Sequence, residues 1–196
     1  MESLINYLLQ YGQLNPQQIE LIKNSVRSRK LEIGDYFSEA GKIANYVAFV
    51  QEGILRVCYY NKEGDEITRY FIDENNFAVD LNSFNLQLPS SEYIQAIVPT
   101  QLFVFHRDDL KNLSNTIIEW DKIIGQITNK ALMEKVNRIS PMLTENAKTR
   151  YAEFYKRFPS LANRIPLNCL ASYIGITKNS LSRIRKNNGN ENTENL

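Results

Sequence analysis

Histidine is almost missing from this chain, and cysteine is nearly so. The single histidine, His106, excludes the set of two or three histidines with a carboxylate that a metal-binding barrel requires. It is the only histidine available as a haem ligand, and at the end of a β-rich run an ordinary strand-end role is the simpler assignment. The two cysteines, Cys58 and Cys169, cannot supply the four thiolates of an iron–sulfur cluster. Both sit in apolar surroundings (VCYY and NCLA), as buried reduced thiols of a cytoplasmic protein would. No glycine-rich phosphate loop, nucleophile–base pair or paired catalytic carboxylates occur, so no enzymatic role and no cofactor are expected. Apolar runs such as Tyr46–Val50 fall far short of the roughly 20 residues of a spanning helix. The start of the chain is polar by its second residue, unlike a secretory signal.

Net charge is also close to absent, at +1 over 196 residues. That balance hides a division. Residues 130–186 carry twelve cations against three anions, or +9, from Lys130 to Lys186. Residues 1–129 carry eleven cations and seventeen anions, or −6, and the tail from Asn187 adds −2. An acidic front and a basic back suit a sensor joined to a nucleic-acid-binding module. The plainer alternative is a helical domain with a solvated basic face.

The basic back contains Leu167 to Lys186, LNCLASYIGITKNSLSRIRK. Leu170, Ile174, Ile176, Leu181 and Ile184 supply apolar positions, and Ala171 is small where two helices would approach. Gly175 sits at the turn between them, where a residue without Cβ adopts positive φ at little cost. Thr177 stands as N-cap of a second helix running from Lys178 to about Asn187. This is helix-turn-helix spacing, in which the second helix enters the major groove and turns its N-terminal side chains to base edges. Lys178, Asn179 and Arg183 are the candidates for base contacts, since Arg pairs with guanine and Asn with adenine in a bidentate way. Thr177, Ser180, Ser182, Arg185 and Lys186 are candidates for phosphate contacts. Two short core helices with a solvated basic end are the bland alternative, disfavoured because the second helix has no acid to offset four cations.

Ahead of this motif the period changes twice. Residues 2–11 and 16–30 suggest helices, the second opened by Asn15-Pro16. From Leu31 to Phe105, short β-rich runs alternate with turns, and Asn61 to Glu66 marks a hairpin loop. An antiparallel roll or barrel is expected. After His106 a short helix covers Arg107–Leu113, and then Leu113, Ile117, Trp120, Ile124, Ile127 and Ala131 step by four and three. Such a seam suits a coiled-coil partner, a second copy, although one helix could also lie on its own roll. Ser140-Pro141 predicts an end or kink. Leu143 to Phe158 then makes an amphipathic helix with Tyr151, Phe154, Tyr155 and Phe158 as its core face. The domains expected are a sensor over residues 1–139, with a dimerisation helix at about 114–139, a helix-turn-helix domain over 140–187, and a disordered tail over 188–196.

A roll, a long helix, a hinge and this motif together resemble the cyclic-AMP receptor and fumarate–nitrate regulator (Crp/Fnr) superfamily, over roughly Leu14 to Lys186. Thr177 to Ile184 looks like that family's recognition-helix start. Ala48 to Gly53 is similar to its strand–turn, and Lys62 to Glu66 resembles its charged hairpin. The resemblance implies an α+β chain. It would comprise an N-terminal antiparallel β-roll of cyclic-nucleotide-binding type with flanking helices, a long dimerisation helix and a C-terminal winged-type helix-turn-helix. It also implies transcription regulation, with double-stranded DNA, a second copy and RNA polymerase as partners and no membrane.

The nucleotide site departs from the family's pattern. The cassette Phe-x-Gly-Glu is here Phe77-Ala78-Val79-Asp80, and Ser90-Ser91 stands where Arg-Ser would be. With Tyr93 these residues make a degenerate pocket: Val79, Asp80, Ser90, Ser91, Tyr93. Without the Arg, a buried phosphate would forgo charged hydrogen bonds worth ~1.5–3 kcal/mol each. Cyclic AMP is therefore not expected to bind. A regulator governed by another small ligand, and a protein-interaction module with a decayed helix-turn-helix, remain the rival assignments. A cupin-like enzyme is excluded by the single histidine.

Overall fold

The computed structural model describes the backbone of residues 1–191 and the side chains of all of these except 137–144, 157, 160, 162 and 187–191. Helices α1 (Glu2–Leu8) and α2 (Pro16–Asn24) precede the strands. The strands are β1 (Arg27–Leu31), β2 (Tyr36–Ser38), β3 (Tyr46–Glu52), β4 (Leu55–Tyr60), β5 (Glu66–Ile72), β6 (Phe77–Ala78), β7 (Tyr93–Ala96) and β8 (Thr100–His106). Helix α3 (Leu81–Leu86) lies between β6 and β7. After β8 come α4 (Arg107–Thr116), α5 (Trp120–Thr144), α6 (Ala147–Arg157), α7 (Pro159–Ala162), α8 (Leu167–Ile174) and α9 (Lys178–Glu191).

Two antiparallel four-stranded sheets form the roll, in the orders β1-β8-β3-β6 and β2-β7-β4-β5. The period of two along a strand decides what each face meets. On β3, Ala48 and Val50 point between the sheets, as do Leu102 and Val104 on β8, and there they meet Leu55, Val57, Ile94 and Ala96. The alternate residues Phe49, Phe103 and Phe105 point outward into a second core with Leu4, Ile5, Leu8, Ile22 and Leu113. The first sheet is thus covered on both faces, which explains the unbroken apolar run YVAFV. The second sheet keeps Arg56, Cys58 and Tyr60 on its outer side.

Local chemistry sets the boundaries. Asn15 and Gln18 form a reciprocal capping box at 2.9 Å in each direction, with Pro16 in the first turn of α2. The expected helix over residues 16–30 is too long. Ser25 caps α2, and Arg27–Leu31 pairs with Thr100–Val104 as an edge strand. Its charged sequence RSRKL lacks alternation, and only pairing with β8 makes it a strand.

Helix α5 also departs from expectation. It runs through Pro141 to Thr144, so the boundary expected at residues 139/140 falls inside it. An interior proline costs about 3 kcal/mol, and Pro141 stands in the last turn of α5, with three helical residues after it. The chain leaves α5 at Glu145, and Asn146 caps α6 by accepting the Thr149 N–H at 3.0 Å. On α6, Tyr151 and Phe154 are buried while Tyr155 is exposed. Helix α9 continues past Asn187 to Glu191, so residues 188–191 are helical. The rest of the expected tail, residues 192–196, lies outside the described residues. No strand follows α9 among the described residues, so they contain no wing.

The expected dimer seam is divided. Ile117 lies in the break between α4 and α5, and with Trp120 and Ile127 it is buried in the protomer's own second core. Ile124 packs against that core and Ala131 is exposed. The stripe answers the roll, because its apolar residues meet the outward phenylalanines of the first sheet. Among the described side chains of α5, Leu132, Met133 and Val136 are the large apolar ones left exposed.

Candidate nucleic-acid interface and the nucleotide cassette

Helices α8 and α9 pack across a tight turn. Gly175 holds φ at +77°, and its N–H donates to Ser172 O while Ile176 N–H donates to Ala171 O at 3.0 Å. Leu170, Ala171, Ile174 and Leu181 are all at most 2% exposed, so α9 stands on its apolar seam. Thr177 caps α9: its Oγ1 accepts the Ser180 N–H at 3.1 Å. Lys178, Asn179, Ser180, Arg183 and Lys186 are exposed and Ser182 is half-buried. Lys178, Asn179 and Arg183 make no hydrogen bond or ion pair among the described residues. Arg185 points elsewhere. Its Nε donates to Tyr151 Oη at 3.1 Å, and the guanidinium lies 6.0 Å from that ring. It braces α9 against α6.

The cassette has the opposite character. Asp80 caps α3, its Oδ1 accepting the N–H groups of Asn82 and Ser83 at 3.1 Å each. Its other oxygen accepts from Ser90 Oγ at 2.6 Å. Ser90 also accepts the Glu92 N–H at 3.1 Å, and Ser83 Oγ accepts from Ala44 N–H and donates to Leu88 O. Glu92 is buried and ion-paired with Arg69, whose guanidinium lies 4.7 Å from the Tyr59 ring. The groups that would greet a phosphate are bonded to one another. Two of the expected pocket residues lie apart from them. Ser91 is exposed, and Tyr93 lies tilted against Tyr36 and edge-on to Tyr60, with ring centroids 5.3 and 5.6 Å apart, on the outer face. The reason is strand alternation, since Ile94 and Ala96 take the inner positions of β7. Val79 lines a cavity of about 670 Å³ beneath α5, together with Phe77, Phe84, Trp120, Ile124 and Lys111.

Residues 28–116 match the family model described as the cyclic nucleotide-binding domain. Solved structures extend the likeness across the chain. FixK2 from Bradyrhizobium japonicum aligns at TM-score 0.75 and 14% identity, covering 85% of this chain and 86% of that one. The c-di-GMP-responsive regulator CLP of Xanthomonas campestris aligns at 0.72 and 14%, covering 91% and 93%. A putative Crp/Fnr-family regulator from Eubacterium rectale aligns at 0.72 and 18%, covering 95% and 88%. No match was found among curated proteins. At these identities the likeness is one of fold.

Several contacts of the roll gave no signal in the sequence. Arg69, which neutralises Glu92, is one. A contact between the roll and the helix-turn-helix is another. Ile54, Phe71 and Ile97 of the roll share a core with Phe154, Leu170 and Leu181. Phe71 lies 5.4 Å from Tyr173, ring to ring. Ser172 Oγ accepts the Thr68 N–H at 2.9 Å and donates to Glu66 O at 3.0 Å. Arg164 pairs with Glu74, Nη1 to Oε2 at 3.0 Å and Nη2 to Oε1, and Glu74 also accepts the Gly53 N–H at 2.9 Å. Both cysteines are buried and free, and burial pushes the Cys58 thiol up to about 11. Among the described residues no cluster of His, Cys, Asp and Glu could hold a metal, and no helix is long and apolar enough to cross a membrane. His106 caps α4, its Nδ1 accepting the Asp108 N–H at 3.3 Å.

Proposed function

We propose that this protein is a dimeric, sequence-specific DNA-binding transcription regulator of the Crp/Fnr type, acting in the cytoplasm and unresponsive to cyclic AMP. The reading rests chiefly on α9. A capped helix presents Lys178, Asn179 and Arg183 to solvent from a base of buried Leu181. Arg183 and Asn179 have the donor geometry to read guanine and adenine edges. Lys178, with a single flexible ammonium, serves either base or phosphate. Ser180 and Lys186 reach phosphate, Ser182 and the cap Thr177 lie beside them, and Arg185 acts mainly by bracing the helix. A second copy is supported by exposed Leu132, Met133 and Val136 on α5.

Indifference to cyclic AMP is supported by the closed network Asp80–Ser90–Glu92–Arg69. An incoming phosphate would have to displace these bonds, and Arg69 is already paired with Glu92. Calorimetry with cyclic AMP should therefore show no heat of binding, and micromolar affinity would overturn this part.

The deciding experiment is duplex binding across a salt series. Groove binding should give log K falling with log salt at a slope of about −0.9 per phosphate neutralised. Weak binding indifferent to salt would favour an interaction module instead. A second reading, a regulator answering to another small ligand, is supported by the cavity of about 670 Å³ beside α5. A ligand co-purifying with the protein and shifting the Trp120 emission, since Trp120 lines the cavity, would favour it.

A further inference from the structure

We propose that Ser172 and the Arg164–Glu74 pair are positioning residues that fix the recognition helix against the roll, and thereby set the spacing of DNA half-sites that a dimer accepts. The inference rests on the DNA-reading function proposed above.

Three observations join here. First, β5 is the outer strand of its sheet, with backbone groups on its free edge and no strand to pair with them. Ser172 Oγ satisfies two of these at once, accepting from Thr68 N–H at 2.9 Å and donating to Glu66 O at 3.0 Å. The hydroxyl takes the place of a neighbouring strand, and its two partners fix one register of α8 along β5. Second, Arg164 grips Glu74 with both guanidinium nitrogens, and a bidentate pair fixes direction as well as distance. Glu74 is itself anchored by the N–H of Gly53, a residue at φ +105° where a Cβ would lie 2.4 Å from Thr100 Oγ1. Third, the apolar contact between them, Ile54, Phe71 and Ile97 against Phe154 and Tyr173, supplies adhesion without direction. The polar bonds choose one placement among those the apolar surface would tolerate.

This docking leaves the reading face clear. Lys178, Asn179 and Arg183 are exposed while Ser172 and Leu170 face the roll or the core. A clamp that covered α9 would block DNA. One that leaves it exposed holds it at a set place relative to the roll. In a two-fold dimer that place determines the separation of the two recognition helices, and hence the half-site spacing.

The test uses the full chain and a palindromic duplex selected by the wild type from random DNA, together with versions lengthened or shortened by one base pair at the centre. One base pair moves a half-site by about 3.4 Å and rotates it about the axis. The wild type should lose about ten-fold or more in affinity on either altered duplex. The double variant Ser172→Ala, Arg164→Gln should lose about three-fold or less, with affinity for an isolated half-site unchanged. Ser172→Thr, which keeps the hydroxyl, should retain the wild-type discrimination. Equal discrimination by wild type and double variant overturns the proposal. Exchange of the Thr68 amide proton gives a reading without DNA: it should speed up in Ser172→Ala, and no change overturns the clamp itself. If the wild type bound no duplex specifically, the functional reading would fall and the spacing role with it, while Thr68 exchange would still report whether the clamp forms.

Discussion

The cassette of the roll and helix α9 are built from similar material, and they dispose of it in opposite ways. Each begins at a capped helix, with Asp80 before α3 and Thr177 before α9. Each is rich in hydroxyls and charge. In the cassette the polar groups turn toward one another, Asp80 to Ser90 and Glu92 to Arg69. On α9 the leading side chains turn to solvent. A ligand site needs unsatisfied groups held ready, and holding them buried costs stability. Satisfied groups stabilise the fold and give up recognition. On the function proposed above, the roll serves as a platform and α9 carries recognition.

The strongest way to separate the two regions is to remove the base on which α9 stands. Leu181 is fully buried, and Leu181→Ala should destabilise the helix-turn-helix by about 2–5 kcal/mol. The only tryptophan, Trp120, belongs to the roll-side core and reports on the other region. Helical circular dichroism should therefore fall at lower urea than the Trp120 fluorescence change. A single shared transition, lowered for both probes, would mean that the two regions fold as one unit.

Next in size is the contrast in recognition. Arg183→Ala should cost about 1–3 kcal/mol of DNA affinity and relax the preference at one base step per half-site. An equal loss on every sequence would move Arg183 to the phosphate contacts. The matching cassette variant, Ser90→Ala, should leave DNA affinity unchanged while lowering stability by about 1 kcal/mol, because Asp80 loses a partner. If Ser90→Ala altered DNA binding as much as Arg183→Ala, the cassette would still be communicating, and the platform reading would fail.

The two regions also differ in how far residue order foretold them. The turn at Gly175, the Thr177 cap and the buried Leu181 are local matters, set by residues within a few positions, and spacing was enough to see them. The hairpin closed by Asn61 and Asp65 was legible for the same reason. Charged β1 was not, because its structure comes from β8, some seventy residues away. The stripe through Trp120 and Ile127 was ambiguous in principle, since a roll and a second helix present the same apolar demand. It was the outward phenylalanines of β3 and β8 that resolved it. Tyr93 was misplaced by one step of strand alternation. Ser172 gave no hint at all, because its partners lie more than a hundred residues upstream.

The smallest effect tests the join between the regions. The Arg164 hydrogen bonds hold the Glu74 carboxyl below its ordinary value, outweighing the opposing effect of partial burial. A carboxyl whose value is lower in the folded state contributes stability above the ordinary carboxylate range and loses it as pH falls through the folded value. The two side chains keep 28% and 38% exposure, so solvent screening limits the contribution to less than about 1 kcal/mol. Melting temperatures of wild type and Arg164→Gln should therefore differ slightly above about pH 5 and converge as acid protonates Glu74. High salt should narrow the same gap. A gap that survived acid and salt alike would show Arg164 holding α7 and α8 by packing of its stem rather than by charge. The directional half of the clamp would then rest on Ser172 alone.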